Sequence, residues 1–114
     1  MSRREPRILL EDMLLSMEKI TSYIGAMDKD SFLKDARTVD AVVRNLEIIG
    51  EAASRIPEDY KTFHPEIPWR RVVGLRNRVI HEYFGVDLEI VWTVATQDLP
   101  PLRAIVQQIV DTFG

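Results

Sequence analysis

The stretch VDAVVRNLEIIGEAA, residues 39–53, decides the fold that is predicted for this chain. Its apolar residues recur at intervals of three or four, which places their side chains on one face of an α-helix. This stripe consists of Val39, Val42, Val43, Leu46, Ile49 and Ala53. The helix is predicted to begin at a cap at Asp30 or Ser31 and to run toward Arg55, where Pro57 stops it.

The first part of the chain repeats this pattern. A helix is predicted from about Arg7 to Gly25, with an apolar stripe that needs a packing partner. Gly50, inside the second helix, predicts a place where another helix approaches closely. No stretch shows the sustained alternation with period two that marks a β-strand, so the predicted fold class is all-α.

The second half predicts shorter helices separated by prolines. The connection from Pro57 to Pro68 contains a helical turn around Asp59 to Phe63, and its last proline opens a third helix. Asp87 predicts the cap of a fourth helix, which Pro100-Pro101 kinks or restarts into a last helix through Phe113. We expect an antiparallel bundle of four or five helices.

Length and composition restrict the possible functions. The 114 residues predict one domain, residues 1–114, and no apolar run is long enough to predict a membrane span. The chain has no cysteine, and its first residues, MSRREP, lack the apolar stretch of a signal peptide, so a cytoplasmic location is expected. The net charge of −3 argues against general coating of nucleic acid. Any contact with RNA must therefore be local.

The segment RNRVIHEY, residues 76–83, contains the residue types that handle phosphate. Histidine exchanges protons near neutral pH, and arginine presents a planar fork of donors to phosphate oxygens. The third helix is predicted to end near Phe84-Gly85, so Asn77 and His81 share a face, but Arg76 and His81 diverge by about 140°. One copy therefore makes half a site, unless the arginine curls round or another subunit completes it.

Arginines are concentrated around this segment. Arg70, Arg71, Arg76 and Arg78 lie within nine residues, whereas the rest of the chain is acidic. Arg71 and Arg78 are candidate phosphate-binding residues. For Arg70 and Arg71 alone, an ordinary solvated helix face explains the charges equally well.

The segment GLRNRVIHEYF, residues 74–84, closely resembles the Arg-x4-His-x-Tyr signature of HepT-like toxins, a branch of the HEPN superfamily of helical ribonucleases. Residues 44–52, RNLEIIGEA, resemble the second-helix signature of that family. Residues 87–92 and 98–102 resemble its C-terminal pattern. The likeness covers nearly the full chain, and three matching segments in order make it fairly specific.

The resemblance implies a homodimeric helical bundle whose Arg-x4-His helices line a shared cleft. It implies a metal-independent endoribonuclease toxin, paired with a small nucleotidyltransferase (MntA-like) antitoxin. Arg76 and His81 correspond to the catalytic pair and Asn77 to a supporting polar residue. Tyr83 corresponds to the hydroxyl that the antitoxin adenylylates, although a tyrosine at a helix end is also often half-buried for structural reasons.

The chemistry can be argued from the residues themselves. RNA carries its own nucleophile, the 2′-hydroxyl, so cleavage needs a base, donors for the phosphorane charge and an acid. His81 can accept the 2′-proton, Arg76 and Arg78 can hold the nonbridging oxygens, and the second subunit's His81 can protonate the leaving oxygen. The expected product is a 2′,3′-cyclic phosphate, and no metal or other cofactor is needed.

Four other side chains have competing interpretations. Glu47 borders the apolar stripe of its helix and is a candidate orienting carboxylate, but ordinary surface pairing of Arg44 with Glu47, and of Glu51 with Arg55, is the stronger explanation. His64 has no second ligand at zinc-like spacing, so no metal site is expected. Both tryptophans, Trp69 and Trp92, occupy helical positions and are expected to anchor the core or an interface.

An alternative function needs the same fold. A noncatalytic dimeric helical module that binds a nucleotide, or the nucleotidyltransferase partner, would also present arginines in a basic cleft. The two functions differ in chemistry, because catalysis requires His81, whereas phosphate binding requires Arg76 and survives the loss of the imidazole.

Overall fold

The structure is a computed structural model that describes residues 5–81 and 85–113, with only the backbone of His81. The protein is mostly helical, as predicted. Its helices are α1 Pro6–Ile24, α2 Lys29–Lys34, α3 Ala36–Arg55, α4 Glu58–Phe63, α5 Trp69–Val73, α6 Leu75–Val79, α7 Leu88–Thr93 and α8 Leu99–Asp111. Two short strands, β1 Ile80–His81 and β2 Gly85–Val86, follow α6. No helix in these ranges is long and apolar enough to cross a membrane.

The two long helices, α1 and α3, form the centre of the structure and pack against each other along their length. The apolar stripes predicted for both helices are confirmed, because their residues are buried in one common core. The fully buried side chains of this pair include Leu10, Met13, Met17, Ile20, Val42, Leu46 and Ile49. Gly25 ends α1 with a φ of 52°, a conformation that a residue without a side chain adopts easily.

The predicted second helix is wrong at its start, because two helices lie between residue 29 and Arg55. Asp28 caps α2 by accepting a hydrogen bond from the Ser31 N–H at 2.8 Å, and this bond holds the pKa of Asp28 below its usual range. Asp35 then leaves helical geometry, and its carboxylate caps α3 by accepting from the Thr38 N–H at 3.1 Å. An aspartate that can cap a new helix competes with continuation of the old one.

The third helix also differs from its prediction. α5 and α6 follow each other with only Gly74 between them, and α6 ends at Val79 rather than near Gly85. Ile80 is extended, with φ −114° and ψ 120°, and β1 pairs antiparallel with β2. The expectation that the chain contains no strand is therefore wrong at this place. Val79 and Ile80 are β-branched, and Gly85 has a φ of 76°, so the local sequence favours extended backbone over a continued helix at Ile80.

The C-terminal helices lie close to their predicted positions, and the connection between them is the part that differs. Asp87 caps α7, as predicted, by accepting from the Ile90 N–H at 3.1 Å. One turn of π-helix, Val94–Asp98, connects α7 with α8, and both prolines lie in the first turn of α8. Prolines have no N–H to donate to the preceding turn, which explains the widened turn before them. The helix count of four or five is not confirmed, since several predicted helices are divided into shorter ones.

The close helix contact predicted at Gly50 is confirmed. A Cβ atom added at Gly50 would lie 3.3 Å from the carbonyl oxygen of Val72 and 3.4 Å from that of Val73. The backbone of α5 therefore rests directly on α3. Both tryptophans are partly buried and pack against the core, as predicted: Trp69 donates from its indole N–H to the His64 carbonyl at 2.9 Å, and Trp92 packs against Phe32.

Replacement of Gly50 by leucine is expected to lower the free energy of unfolding by about 1–3 kcal/mol, because the new side chain has no space against the α5 backbone. Urea denaturation of the variant and of the unchanged protein measures this difference. Asp40→Leu, which places the same side chain at an exposed position of α3, is the matched control and is expected to change stability little. Equal stability of Gly50→Leu and the control would contradict the close contact.

Candidate active site

The first half of the motif lies on α6. Leu75 and Val79 are buried and hold this helix on the core, whereas Arg76 and Asn77 lie on its exposed side. The Asp87 N–H donates to the Val79 carbonyl at 2.8 Å, so the end of α6 is tied to the start of α7. Arg76 and Asn77 therefore face solvent from a well-supported backbone.

Arg76 lies beside Glu47 of α3. The distance from Arg76 Nε to Glu47 Oε2 is 3.9 Å, and the two side chains are 62% and 42% exposed. An ion pair of this length and exposure is weak, so the guanidinium stays available to another anion. Glu47 thus reaches the motif helix, as its candidate role requires. Ordinary surface pairing, the alternative explanation for these charges, is found for only one of the two predicted pairs. Glu51 pairs with Arg55 at 3.0 Å, but Arg44 forms no ion pair within the described ranges.

The Arg76–Glu47 pair lies in a groove between α1, α3 and α6, with a volume of about 490 Å³. Leu9, Ile48 and Ala52 form its apolar lining, and its charged residues are Asp12, Arg44, Glu47, Glu51, Arg55 and Arg76. Arginines and acids are equal in number, so the groove has mixed charge. Arg44 and Arg55 were not predicted as site residues. Their spacing with Ile48 and Glu51, at helical intervals, is the signal that places all four on one face of α3.

Arg78 and Arg71 lie on the other flank of α5 and α6. Arg78 donates to the Asp98 carboxylate at 3.2 Å, and both side chains are little more than a third exposed. Arg71 lines a depression with Arg78, Asp98 and Leu99. This pair of arginines therefore lines a different depression from Arg76. Their predicted phosphate contacts stay predictions.

The second half of the motif lies beyond the helix. The backbone of His81 belongs to β1 and pairs with Gly85. The expectation that Asn77 and His81 share a helical face is wrong, because α6 ends two residues before His81, and the angle estimated between Arg76 and His81 fails for the same reason. The side chain of His81 and all of Tyr83 lie outside the described residues. Their predicted roles stay predictions.

His64 lies near a carboxylate and an aromatic ring. Its Nδ1 is 3.4 Å from Glu66 Oε2, and its ring packs on Tyr60 with the centroids 4.7 Å apart. In the part of the chain that the structure describes, no group of three or more histidine or acidic side chains is placed to hold a metal ion.

Comparison with known proteins assigns the family. The family model described as ribonuclease HepT-like matches residues 13–109, which include the whole motif. The chain belongs to this family of HEPN ribonucleases, as its sequence signature indicated. No solved structure matches the chain.

Curated relatives cover nearly the full length. A protein of Thermococcus cleftensis named a probable ribonuclease HepT is 43% identical over 101 residues, which are 89% of this chain and 92% of that protein. A protein of Methanocaldococcus jannaschii, named as a candidate RNase, is 38% identical over 115 residues, which are 100% of this chain and 95% of that protein. A further candidate RNase, from Caldanaerobacter subterraneus subsp. tengcongensis, is 36% identical over 106 residues, or 93% and 95% of the two chains.

Proposed function

We propose that this protein is an endoribonuclease and that RNA is its substrate. The observation that carries the proposal is the family match over residues 13–109, which includes Arg76 and His81. The names of the curated relatives, which describe ribonucleases or candidate RNases, support it. The exposure of Arg76 supports it as well, because a guanidinium held only loosely by Glu47 can bind a phosphate.

The proposed mechanism needs no metal. Neutral His81 accepts the proton of the 2′-hydroxyl, and the oxygen attacks the adjacent phosphorus. Arg76 binds the nonbridging oxygens and stabilises the charge of the phosphorane, with Asn77 as a neighbouring hydrogen-bonding group. A protonated imidazole gives its proton to the leaving 5′-oxygen. The products are a 2′,3′-cyclic phosphate and a free 5′-hydroxyl.

The acid and the base are two different imidazoles in this scheme, and one motif has only one. We therefore propose a homodimer, in which two copies of the motif face each other across a shared cleft. His81 of one subunit acts as the base, and the partner's His81 acts as the acid. The proposed domain spans residues 1–114, and each subunit contributes one copy of the motif to the cleft.

We also propose that the protein is the toxin of a toxin-antitoxin pair. Its antitoxin is a small nucleotidyltransferase, and this partner inactivates the toxin by transferring AMP to the Tyr83 hydroxyl. The modification places a bulky anion seven residues from Arg76 in sequence. Such a group competes with substrate phosphate for arginine, so inhibition needs no refolding.

His81→Ala is expected to lower the rate of RNA cleavage by about 10²- to 10⁴-fold, because the general base is lost. Arg76→Ala is expected to lose RNA binding as well as cleavage. The assay follows a labelled RNA in the presence of EDTA, and mass spectrometry identifies the cyclic phosphate. Arg37→Ala, at an exposed arginine of the first turn of α3, is the control.

Undiminished cleavage by the His81→Ala variant would rule out the assignment of the base. The alternative function, a noncatalytic module that binds a nucleotide or the partner, predicts a different pattern. It requires that unchanged protein leaves RNA intact, that His81→Ala still binds nucleotide, and that Arg76→Ala does not.

Glu47 is proposed to orient Arg76. Glu47→Gln is expected to lower kcat about tenfold with an unchanged or lower KM, because the freed guanidinium still binds phosphate but is less well positioned. Partial recovery of kcat is expected in Glu47→Asp. The matched control is Glu51→Gln, which removes a carboxylate from the same groove that pairs with Arg55 instead. An equal loss of kcat in both glutamine variants would show a general effect of groove charge and exclude a specific role for Glu47.

Tyr83→Phe is expected to prevent inactivation. Coexpression with the nucleotidyltransferase should add one or more AMP groups to the unchanged protein, and intact-mass measurement should find none on the variant. The variant should arrest growth even in the presence of the antitoxin. An AMP adduct that persists in Tyr83→Phe would place the modification on another residue.

A further inference from the structure

A second groove lies between α4 and α5, with a volume of about 520 Å³. Its walls come from α4, from the proline-bearing connection and from α5. The lining residues that bear on its function are Glu58, Lys61, Thr62, Trp69, Arg70 and Val73. None of these residues was assigned to catalysis above.

The groove ends at Val73, about one helical turn before Arg76, the arginine proposed to act in catalysis. Val73, at its end, precedes Arg76 by three residues, and Arg70 precedes Asn77 by seven, which are the intervals of one helical flank. Gly74 keeps the two short helices in register, since its N–H donates to the Arg70 carbonyl and its own carbonyl accepts from the Arg78 N–H, both at 3.1 Å. The rise from Arg70 to Arg76 is about 9 Å. A stacked strand advances about 3.4 Å per nucleotide, so the rise from Arg70 to Arg76 is longer than the step from one nucleotide to the next.

The groove carries a positive surplus on an acidic chain. Lys61 and Arg70 face a single acid, Glu58. Arg70 forms no ion pair in the described ranges and is exposed. Glu58 approaches Lys61 at 3.5 Å, but its side chain is 90% exposed, so water screens its charge. The groove at Arg76 contains equal numbers of basic and acidic side chains. The groove between α4 and α5 has a local excess of positive charge, from Lys61 and Arg70, and this excess suits the binding of a polyanion.

The aromatic wall of this groove is held in place. The indole N–H of Trp69 donates to the His64 carbonyl, which prevents rotation of the ring. Lys61 lies across it, with Nζ 6.0 Å from the ring centroid and only 13% of the side chain exposed. A fixed aromatic ring in a groove that also contains Lys61 and Arg70 matches the combination that binds a single-stranded nucleic acid.

We propose that the groove between α4 and α5 binds the single-stranded RNA segment next to the scissile phosphate. Arg70, which is exposed, contacts a backbone phosphate, Lys61 adds positive charge to the wall beside it, and the partly exposed Trp69 ring contacts a base. Glu58 weakens this binding by neutralising part of the charge. The inference rests on the proposed ribonuclease function, since it names the path of the substrate into that site.

The experiment measures binding of a fluorescein-labelled, single-stranded 2′-O-methyl RNA of about twelve nucleotides, which lacks the nucleophile and stays intact. Arg70→Gln is expected to weaken the affinity by about three- to tenfold and to reduce the salt dependence by about one phosphate contact, a slope change of roughly 0.7. Glu58→Gln is expected to strengthen binding by about twofold. Both changes lie at exposed side chains, so the fold should be retained.

Two matched controls accompany these variants. Arg37→Gln removes an exposed arginine at the start of α3, which also forms no ion pair in the described ranges. Glu89→Gln removes an exposed acid that pairs with Lys29, as Glu58 pairs with Lys61. Opposite effects of Arg70→Gln and Glu58→Gln, with both controls unchanged, support the groove.

Other results overturn it. Equal affinities and salt slopes in all variants, or equal losses in Arg70→Gln and Arg37→Gln, would show that no local binding site exists. A change of self-association in Arg70→Gln, with unchanged RNA affinity, would assign the groove to contact between copies of the chain. Cleavage of unmodified RNA by the unchanged protein is measured in parallel. If that protein binds RNA through the groove but does not cut it, the proposed function fails and the groove stands.

Discussion

The contact between α3 and the backbone of α5 at Gly50 is the constraint on which the site depends. Gly50 has no side chain, so the Val72 and Val73 carbonyls can rest on α3. α5 continues through Gly74 into α6, and this places Arg76 beside Glu47. A bulkier residue at Gly50 would push α5 outward and carry the motif helix away from its carboxylate.

Much of the fold could be predicted from the chain because its helices are amphipathic and capped by recognisable residues. Rules that depend only on neighbouring residues predicted three features: the stripe of residues 39–53, the contact at Gly50 and the cap at Asp87. The break between α2 and α3 at Asp35 was not predicted, because an aspartate inside a helical pattern can either cap a new helix or lie within a continuous one. Burial of Phe32 against Trp92, a contact between distant parts of the chain, accompanies the division.

The site was predicted less completely than the fold. Arg76, Asn77 and Glu47 were predicted as site residues from residue type, spacing and the family resemblance, and the structure brings Arg76 and Glu47 together. The end of α6 was misplaced, because it depends on the pairing of residues 80–81 with residues 85–86, which the helical pattern does not reveal. The groove between α4 and α5 left no motif in the sequence. It arises from helices whose relative position is set by packing, which spacing alone does not reveal.

The early end of α6 gives the spacing of the motif a different meaning. Arg76 lies on a helix and His81 in a strand, so the four residues between them cross a junction between two periodicities. An insertion within a helix rotates the following residues by about 100°. One residue inserted after Val79 would instead move the histidine to the opposite face of a two-residue ladder. An odd change in the number of residues between Arg76 and His81 therefore moves His81 to the other face of the strand, whereas an even change keeps it on the same face.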